Sequence, residues 1–132
     1  MSTKIPEPLK DLVTRGTKAM AYLALVKKDG TPQVTPIWFD YDGELFIFNT
    51  ARGRVKDRIM HKKPVVAFVI TDLSDPGRYF QVTGRVVVET EEGASEQIKD
   101  LSLKYNGTPN FDLPPGQVRV TYKVLPEKIS PD

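Results

Sequence analysis

Apolar residues in this sequence fall into short runs separated by turn-forming residues, a pattern typical of β-strands. Residues 19–27 form the first run and are followed by an Asp-Gly pair; residues 33–41 form the second and lead to another Asp-Gly pair. Asp-Gly between two apolar runs is a strong hairpin signal. Residues 44–50, with four consecutive apolar side chains, are therefore predicted to form the third strand of an antiparallel meander.

The second half of the chain adds three predicted strands, over residues 65–71, 79–89 and 117–128. Apolar residues three or four positions apart predict helices before residue 15, over 54–62 and over 93–105. Strands joined mainly by antiparallel hairpins should close into a small barrel, because closure removes exposed apolar strand edges. The predicted fold class is therefore mainly β: a six-stranded antiparallel β-barrel with two or three short helices, forming one domain over residues 1–132.

Composition limits the possible chemistry. The 132 residues are enough for one domain, and the absence of cysteine excludes disulfides, thiolate catalysis and cysteine-based metal sites. His61 is the only histidine, and a net charge of +2 does not indicate a nucleic-acid partner. The apolar runs are too short to span a bilayer, and the first eight residues lack the apolar core of a signal peptide. We expect a soluble, cytoplasmic protein with no nucleic-acid, membrane or metal partner.

Positive charge is concentrated between residues 52 and 63, where six bases face one acid and give a local charge of +5: Arg52, Arg54, Lys56, Arg58, Lys62 and Lys63, against Asp57. The first of these basic residues lie at a predicted helix N-terminus, where the free N–H groups and the helix dipole repel cations. A bound phosphate or carboxylate would reverse this repulsion, with Thr50 adding a hydroxyl and Gly53 allowing close approach of the backbone. The alternative is a set of solvated basic side chains on an exposed helix.

Three blocks carry a family resemblance: residues 34–43 (VTPIWFDYDG), 48–56 (FNTARGRVK) and 78–84 (RYFQVTG). They resemble the flavin- and deazaflavin-binding split-barrel proteins, a superfamily related to pyridoxamine 5′-phosphate oxidase, and most of all the small coenzyme F-420-dependent reductases. The similarity spans nearly the whole chain. It implies a split β-barrel and a homodimer with two cofactor sites at the subunit interface.

The resemblance also implies roles for individual residues. Arg54 and Lys56 would hold the cofactor phosphate, with Arg52 and Arg58 nearby. The cofactor site would also include the residues that adjoin them along the chain, Asn49, Thr50 and Ala51. The cofactor ring would be lined by Thr35, Pro36, Ile37 and Trp38. The neighbouring strand or subunit would supply Tyr79 and Gln81. In F-420 the phosphate leads to an oligoglutamate tail that further bases such as Arg58, Lys62 and Lys63 suit, whereas FMN ends at its phosphate.

The resemblance thus implies an oxidoreductase in which reduced F-420 transfers a hydride to an electron-poor small molecule, such as an enone, a quinone or a tetrapyrrole-like pigment. The alternatives are an FMN-binding oxidoreductase, a non-catalytic flavin- or deazaflavin-binding protein, and a barrel that binds single-stranded nucleic acid. No side chain is predicted to be a catalytic acid, base or nucleophile, because the cofactor supplies the hydride chemistry. Residues 122–130 lack the Arg-Leu-x-Pro segment of the pyridoxamine phosphate oxidases proper, so vitamin B6 oxidation is not expected. Without the resemblance, Trp38 would be interpreted as a core or interface residue.

Overall fold

The computed structural model describes residues 3–131, which form one antiparallel sheet and three helices. The strands are β1 (Ala19–Val26), β2 (Pro32–Ile37), β3 (Phe39–Tyr41), β4 (Phe46–Ala51), β5 (Val65–Asp72), β6 (Tyr79–Thr90) and β7 (Arg119–Ser130). The helices are a 3-10 helix (Glu7–Val13), α1 (Val55–Lys62) and α2 (Ala94–Asn106). Among residues 3–131, no helix has the length and apolar character needed to cross a membrane.

The two edge strands of the sheet are neighbours in the chain. The order across the sheet is β2-β1-β5-β6-β7-β4-β3, and only Trp38 separates β2 from β3. Consecutive Cα atoms are about 3.8 Å apart, so the two edges must meet at Trp38 and the sheet must curl round on itself. We call this meeting point the seam.

The predicted mainly β, antiparallel fold with two or three helices is confirmed, but the structure has seven strands and not six. The predicted second strand is divided, because the chain changes partner at Trp38. Ile37 pairs with Ala21 of β1, whereas Phe39 pairs with Phe48 of β4. The strand-like apolar pattern continues across Trp38. The sequence pattern alone therefore does not reveal that the residues before Trp38 pair with one strand and the residues after it with another.

Aromatic side chains fill the inside of the curled sheet. The Phe68 ring meets both Phe46 and Phe48 edge-on, with 5.1 Å between ring centroids in each pair. All three rings are buried, and burial of one such side chain stabilises the fold by roughly 1.5–3 kcal/mol. Helix α1 contributes Met60 to the same core, which attaches the basic segment to the barrel.

Helix α2 covers the outside of the seam. Its Tyr105 ring stacks on the Trp38 indole, with 5.2 Å between centroids and 5° between the ring planes. The Tyr105 hydroxyl donates to the Ala19 carbonyl of β1 (2.6 Å) and accepts the Phe39 N–H of β3 (3.4 Å). The ammonium group of Lys104 donates to the Phe39 carbonyl (2.7 Å). The C-terminal turn of α2 therefore bridges β1 and β3, which do not pair with each other directly.

Replacement of the bridging hydroxyl tests this arrangement. We predict that Tyr105→Phe lowers the free energy of unfolding by about 1–3 kcal/mol, because buried backbone groups lose a hydrogen-bond partner. Tyr41→Phe is the matched control, since the Tyr41 hydroxyl lies at an exposed turn and donates only to the Gly43 carbonyl two residues away (3.0 Å). Urea unfolding measures both variants, and equal loss in the two would contradict a bridging role for Tyr105.

Candidate functional site

Strand β4 enters α1 through a tight turn at Gly53, whose φ of +91° lies in the left-handed region that favours glycine. The Arg54 N–H donates to the Ala51 carbonyl (3.2 Å), and the Arg52 N–H donates to the Val118 carbonyl (2.8 Å). The first bond closes the turn, and the second holds the basic segment against the residue that precedes β7.

The N-terminus of α1 holds an anion from its own chain. The buried Asp57 carboxylate accepts hydrogen bonds from the Gly53 N–H (2.8 Å), the Tyr122 hydroxyl (2.6 Å) and the Arg52 guanidinium (2.9 Å). Burial disfavours the ionised carboxylate, but these hydrogen bonds outweigh it and hold the pKa of Asp57 below its ordinary value. Because Tyr122 is fully buried, Asp57 anchors the helix start to the barrel core.

Arg52, one of the residues expected near the phosphate, is held by three carboxylates. Its Nη1 lies 2.9 Å from Asp57 and 2.6 Å from Glu89, and its Nε lies 2.8 Å from Glu91. The hydrogen bonds to Glu89 and Glu91 raise the pKa of Arg52 above its ordinary value. Glu89 also lies 2.7 Å from Nδ1 of His61. Arg52 therefore joins α1 to the end of β6, and its charge is already balanced.

The other predicted cations lack such partners. Within residues 3–131, no carboxylate lies within 4 Å of Arg54, Lys56 or Arg58. Arg54 and Arg58 are exposed, whereas Lys56 is half-buried. Burial and the nearby charge of Arg54 lower the pKa of Lys56. An external anion would remove this unfavourable charge environment.

A second basic feature lies along the same helix. A groove of about 510 Å³ has Val26, Val55 and Ile59 among its lining residues. Its other lining residues are all basic: Lys27, Lys28, Arg58, Lys62 and Lys63. The bases that the sequence analysis associated with an anionic tail therefore share one concave surface.

The predicted ring-binding segment lines a pocket of about 320 Å³ at the seam, which we call the seam pocket. Pro36, Ile37 and Trp38 contribute from the seam, and Asn49 from β4; the remaining lining is apolar and comes from Met20, Ile98, Leu101 and Phe111. Trp38 is held between Tyr105 and an edge-on Phe111 ring, 6.1 Å away. Pro36, Ile37, Trp38 and Asn49 therefore line one pocket, and their role in binding a cofactor ring stays a prediction.

Two other predicted residues, Thr50 and Ala51, are buried, and a third, Thr35, is partly buried. Thr50 and Ala51 are each 3 % exposed in β4, so the Thr50 hydroxyl is not presented at the turn. Thr35 lies opposite the core residue Leu23, and its buried Oγ1 has no hydrogen-bond partner within residues 3–131. The sequence pattern could not indicate the burial of these side chains, because burial depends on which strands pair with each other.

Arg119 is a potential site residue that sequence reasoning missed. It lies opposite Ala51 at the start of β7, and its Nε donates to Oδ1 of Asn49 (2.9 Å). Its guanidinium lies 5.4 Å from the centre of the Phe111 ring. A single base before an apolar run is usually a surface residue, so the sequence carried no signal for its burial.

Tyr79 and Gln81 lie far from the basic turn within the same chain. Asn49 pairs with Thr121 of β7, which pairs in turn with Thr90 of β6. Gln81 is nine residues before Thr90 on that strand, or about 30 Å along it. Only a second copy of the chain could bring these side chains to the turn, so their inclusion stays a prediction.

Comparison with known proteins gives the family. The profile of the pyridoxamine 5′-phosphate oxidase family matches residues 7–130. The chain belongs to this family. An F420 reductase of known structure is 32% identical over 97% of this chain and 100% of its own, with a TM-score of 0.83.

More distant members of the fold include HupZ of Group A Streptococcus, 20% identical over 96% of this chain and 92% of its own, with a TM-score of 0.66. PhzG from Burkholderia lata is 16% identical over 89% of this chain and 69% of its own, with a TM-score of 0.61. These two show the shared fold alone. No curated protein matches the sequence significantly.

The pyridoxamine 5′-phosphate oxidase family profile spans both parts of the candidate site, the seam segment and the turn into α1. The oxidoreductase character of this family agrees with the oxidoreductase class predicted from the sequence. The family match therefore covers both the basic start of α1 and the seam pocket of this chain.

The pKa of Asp57 gives a test of how α1 is held. Because folding lowers this pKa, the carboxylate stabilises the fold above its unfolded-state pKa of about 3.9, and this contribution is lost as pH falls through the folded-state value. Asp57→Asn should cost about 1.5–3 kcal/mol at pH 7, and the difference from wild type should shrink below about pH 4. Urea unfolding between pH 7 and pH 2.5 measures it. The exposed Asp112→Asn is the control, and a difference that persists unchanged at pH 2.5 would contradict the assignment.

Proposed function

We propose that this chain binds the deazaflavin coenzyme F-420 at the turn into α1 and the adjoining seam. In its reduced form the cofactor would deliver a hydride to an electron-poor small molecule. The observation that carries the proposal is the set of unpaired cations at the start of α1, in a chain 32% identical to an F420 reductase over almost its full length.

Phosphate binding is the first requirement, and the chain's charges support it. Arg54, Lys56 and Arg58 have no carboxylate partner in the part of the chain that the structure describes. Since Arg52 and Asp57 neutralise each other, they fix the helix start without consuming the charge of these three residues. Cations on a rigid helix start can bind an anion with little loss of conformational entropy.

Ring binding is the second requirement. The seam pocket lies beside Asn49, five residues before Arg54, so phosphate and ring sites would be continuous along β4 and the turn. Its lining is mainly apolar, and Trp38 is held by two aromatic neighbours. Thr35, on the same segment, has a buried hydroxyl without a partner within residues 3–131, although it does not line the seam pocket. The residues present therefore fit a cofactor with a flat ring and an anionic arm.

The bound cofactor would supply the hydride, which no side chain can supply. Arg54 and Lys56 would hold the phosphate, and Pro36 to Trp38 would orient the ring and exclude water from one side. Hydride transfer depends mainly on proximity and orientation. This requirement suits a chain with no cysteine and one histidine.

The basic groove along α1 favours F-420 over FMN. Arg58, Lys62 and Lys63 lie beyond the phosphate-binding turn and line the groove with Lys27 and Lys28. FMN ends at its phosphate and would leave these five charges without use. An anionic tail extending from the phosphate would pass along them.

We further propose a homodimer formed through the outer face of β2, β1 and β5. Val34 is 63% exposed on this face, and Tyr22, Val26 and Val65 are exposed with it. Ala24 lies between Val34 and Ala67 in the strand register, so the apolar surface is continuous. Contiguous exposed apolar patches usually mark interaction sites. Gln81 is paired to the same face through Val69, which gives Tyr79 and Gln81 a route into the site of a partner copy.

Lys56→Ala tests the proposed phosphate site. We expect the F-420 dissociation constant to rise by about 10- to 100-fold, because a charge-assisted hydrogen bond to the phosphate is lost. Quenching of F-420 fluorescence, with FMN titrated in parallel, measures the change. Lys10→Ala is the matched control, since Lys10 is exposed and paired with Glu7 (2.6 Å). No binding of F-420 to the wild type at micromolar concentration would overturn the proposed function, and tighter binding of FMN would favour the flavin alternative.

Val34→Glu tests the proposed dimer. A charge on the apolar face should raise the dimer dissociation constant at least about tenfold, because it would be buried without a partner. Sedimentation equilibrium measures the dissociation constant. Leu103→Glu, an exposed leucine on α2, should leave the dimer intact. A monomeric wild type would contradict the proposal.

A further inference from the structure

The loop that joins α2 to β7 is the longest segment of the described chain that has neither helix nor strand. It comprises residues 107–118. Connections of about 12 residues or more without secondary structure are uncommon in compact domains, and many of them are lids or binding loops. This loop carries Phe111, which lines the seam pocket. The other described residues that line the pocket lie on strands, at the seam or on α2.

The apolar side chains of the loop belong to a small cluster that is separate from the barrel core. Phe111 and Leu113 pack against Ile98, Leu101 and Tyr105 of α2. The aromatic residues inside the barrel form a different cluster. A segment with few buried apolar contacts of its own can open locally while the rest of a protein stays folded. The loop can therefore separate from α2 while the barrel core stays intact.

Hydrogen bonds hold the two ends of the loop but not its middle. At the first end, the Ser102 hydroxyl of α2 shares its hydrogen between the carbonyls of Thr108 (2.8 Å) and Asn110 (3.1 Å). At the other end, the Val118 carbonyl accepts a backbone N–H from the turn into α1 (2.8 Å). Residues 111–113 make no hydrogen bond in the part of the chain that the structure describes. The middle of the loop is therefore attached by side-chain packing alone.

Phe111 is held through its ring. The ring lies edge-on to the Trp38 indole, with 6.1 Å between centroids, and the Arg119 guanidinium lies 5.4 Å from its centre. Single contacts of these two kinds are weak. Gly107 and Gly116, with φ of +78° and +81°, lie near the two ends of the loop. Glycine can absorb a large change in backbone angles, so these two residues can act as hinges.

We propose that residues 107–118 form a flap over the seam pocket. The flap swings away from α2 to admit the cofactor ring and then returns to close Phe111 over the bound ring. Closure of an apolar side chain over such a pocket excludes water from it. Phe111 is thus a positioning residue and takes no part in the hydride transfer. The inference rests on the proposed function only in naming the cofactor as the ligand, because the motion belongs to the free protein.

Thiol labelling tests the motion without any ligand. The sequence contains no cysteine, so an introduced thiol reports one position. Leu101→Cys places it in the pocket wall beneath the flap, and Val120→Cys, at an equally buried position in the barrel core, is the control. The labelling rate is measured with 5,5′-dithiobis(2-nitrobenzoate) at rising urea concentrations below the unfolding transition. The rate of Val120→Cys should rise steeply with urea, whereas that of Leu101→Cys should barely change, because flap opening exposes little surface. An equally steep rise for both would overturn the flap.

A second substitution in the Leu101→Cys background separates movement of the loop from movement of α2. Ser102→Ala removes the bonds to the loop carbonyls and should raise the labelling rate about fivefold or more. Ser95→Ala is the matched control, since this serine of α2 has no hydrogen-bond partner for its hydroxyl within residues 3–131. No increase with Ser102→Ala, or an equal increase with Ser95→Ala, would contradict movement of the loop.

F-420 binding then tests what the flap admits. F-420 at about ten times its dissociation constant should slow the labelling of Leu101→Cys about tenfold. Phe111→Ala should release F-420 about three- to tenfold faster than wild type in stopped-flow fluorescence, and Leu103→Ala, at an exposed leucine of α2, should not. Binding of F-420 with no effect on labelling and no faster release would overturn the inference and leave the proposed function standing. If F-420 does not bind, the proposed function fails, and the labelling rates still decide whether the flap exists.

Discussion

Strands β2 and β3 are the two edges of the sheet, and one residue, Trp38, joins them. The last residue of β2 and the first residue of β3 are separated by only two Cα–Cα steps of about 3.8 Å each, so the chain itself holds the two edges together. The two edge strands are not hydrogen-bonded to each other, because β2 pairs only with β1 and β3 only with β4. Helix α2 supplies hydrogen bonds across the seam instead, from Tyr105 to β1 and β3 and from Lys104 to β3. The space between the seam and α2 is the seam pocket, so the pocket is a consequence of how the barrel closes.

Charges at the turn into α1 are divided between structure and binding. Asp57 accepts the Gly53 N–H at the helix N-terminus, and Arg52 balances its charge. The helix start is therefore stable without a ligand. Arg54 and Lys56 can then remain unpaired, because the stability of the turn does not depend on them. The unpaired charges of Arg54 and Lys56 therefore do not have to be neutralised for the turn to fold.

Local signals in the sequence predicted most of the elements. Alternation and the Asp-Gly turns located the strands, and α1 and α2 begin and end within one residue of their predicted limits. The division at Trp38 was not predictable, since it depends on a change of strand partner. Two of the three carboxylates on Arg52 come from Glu89 and Glu91, 37 and 39 residues away. The position of Arg119 depends in the same way on Asn49 of β4, 70 residues away. Long-range pairing of this kind leaves no mark on a local pattern.

Trp38 is the only tryptophan of the chain, and it stacks on Tyr105 while lining the seam pocket. Indole emission depends on the groups around the ring, and here those groups belong to a single place in the molecule. Intrinsic fluorescence of the whole protein is therefore a local reporter. Opening of the barrel would expose the indole to water, whereas a ligand in the pocket would cover it. The residue that joins the two edges of the sheet thus provides a native optical probe of both events.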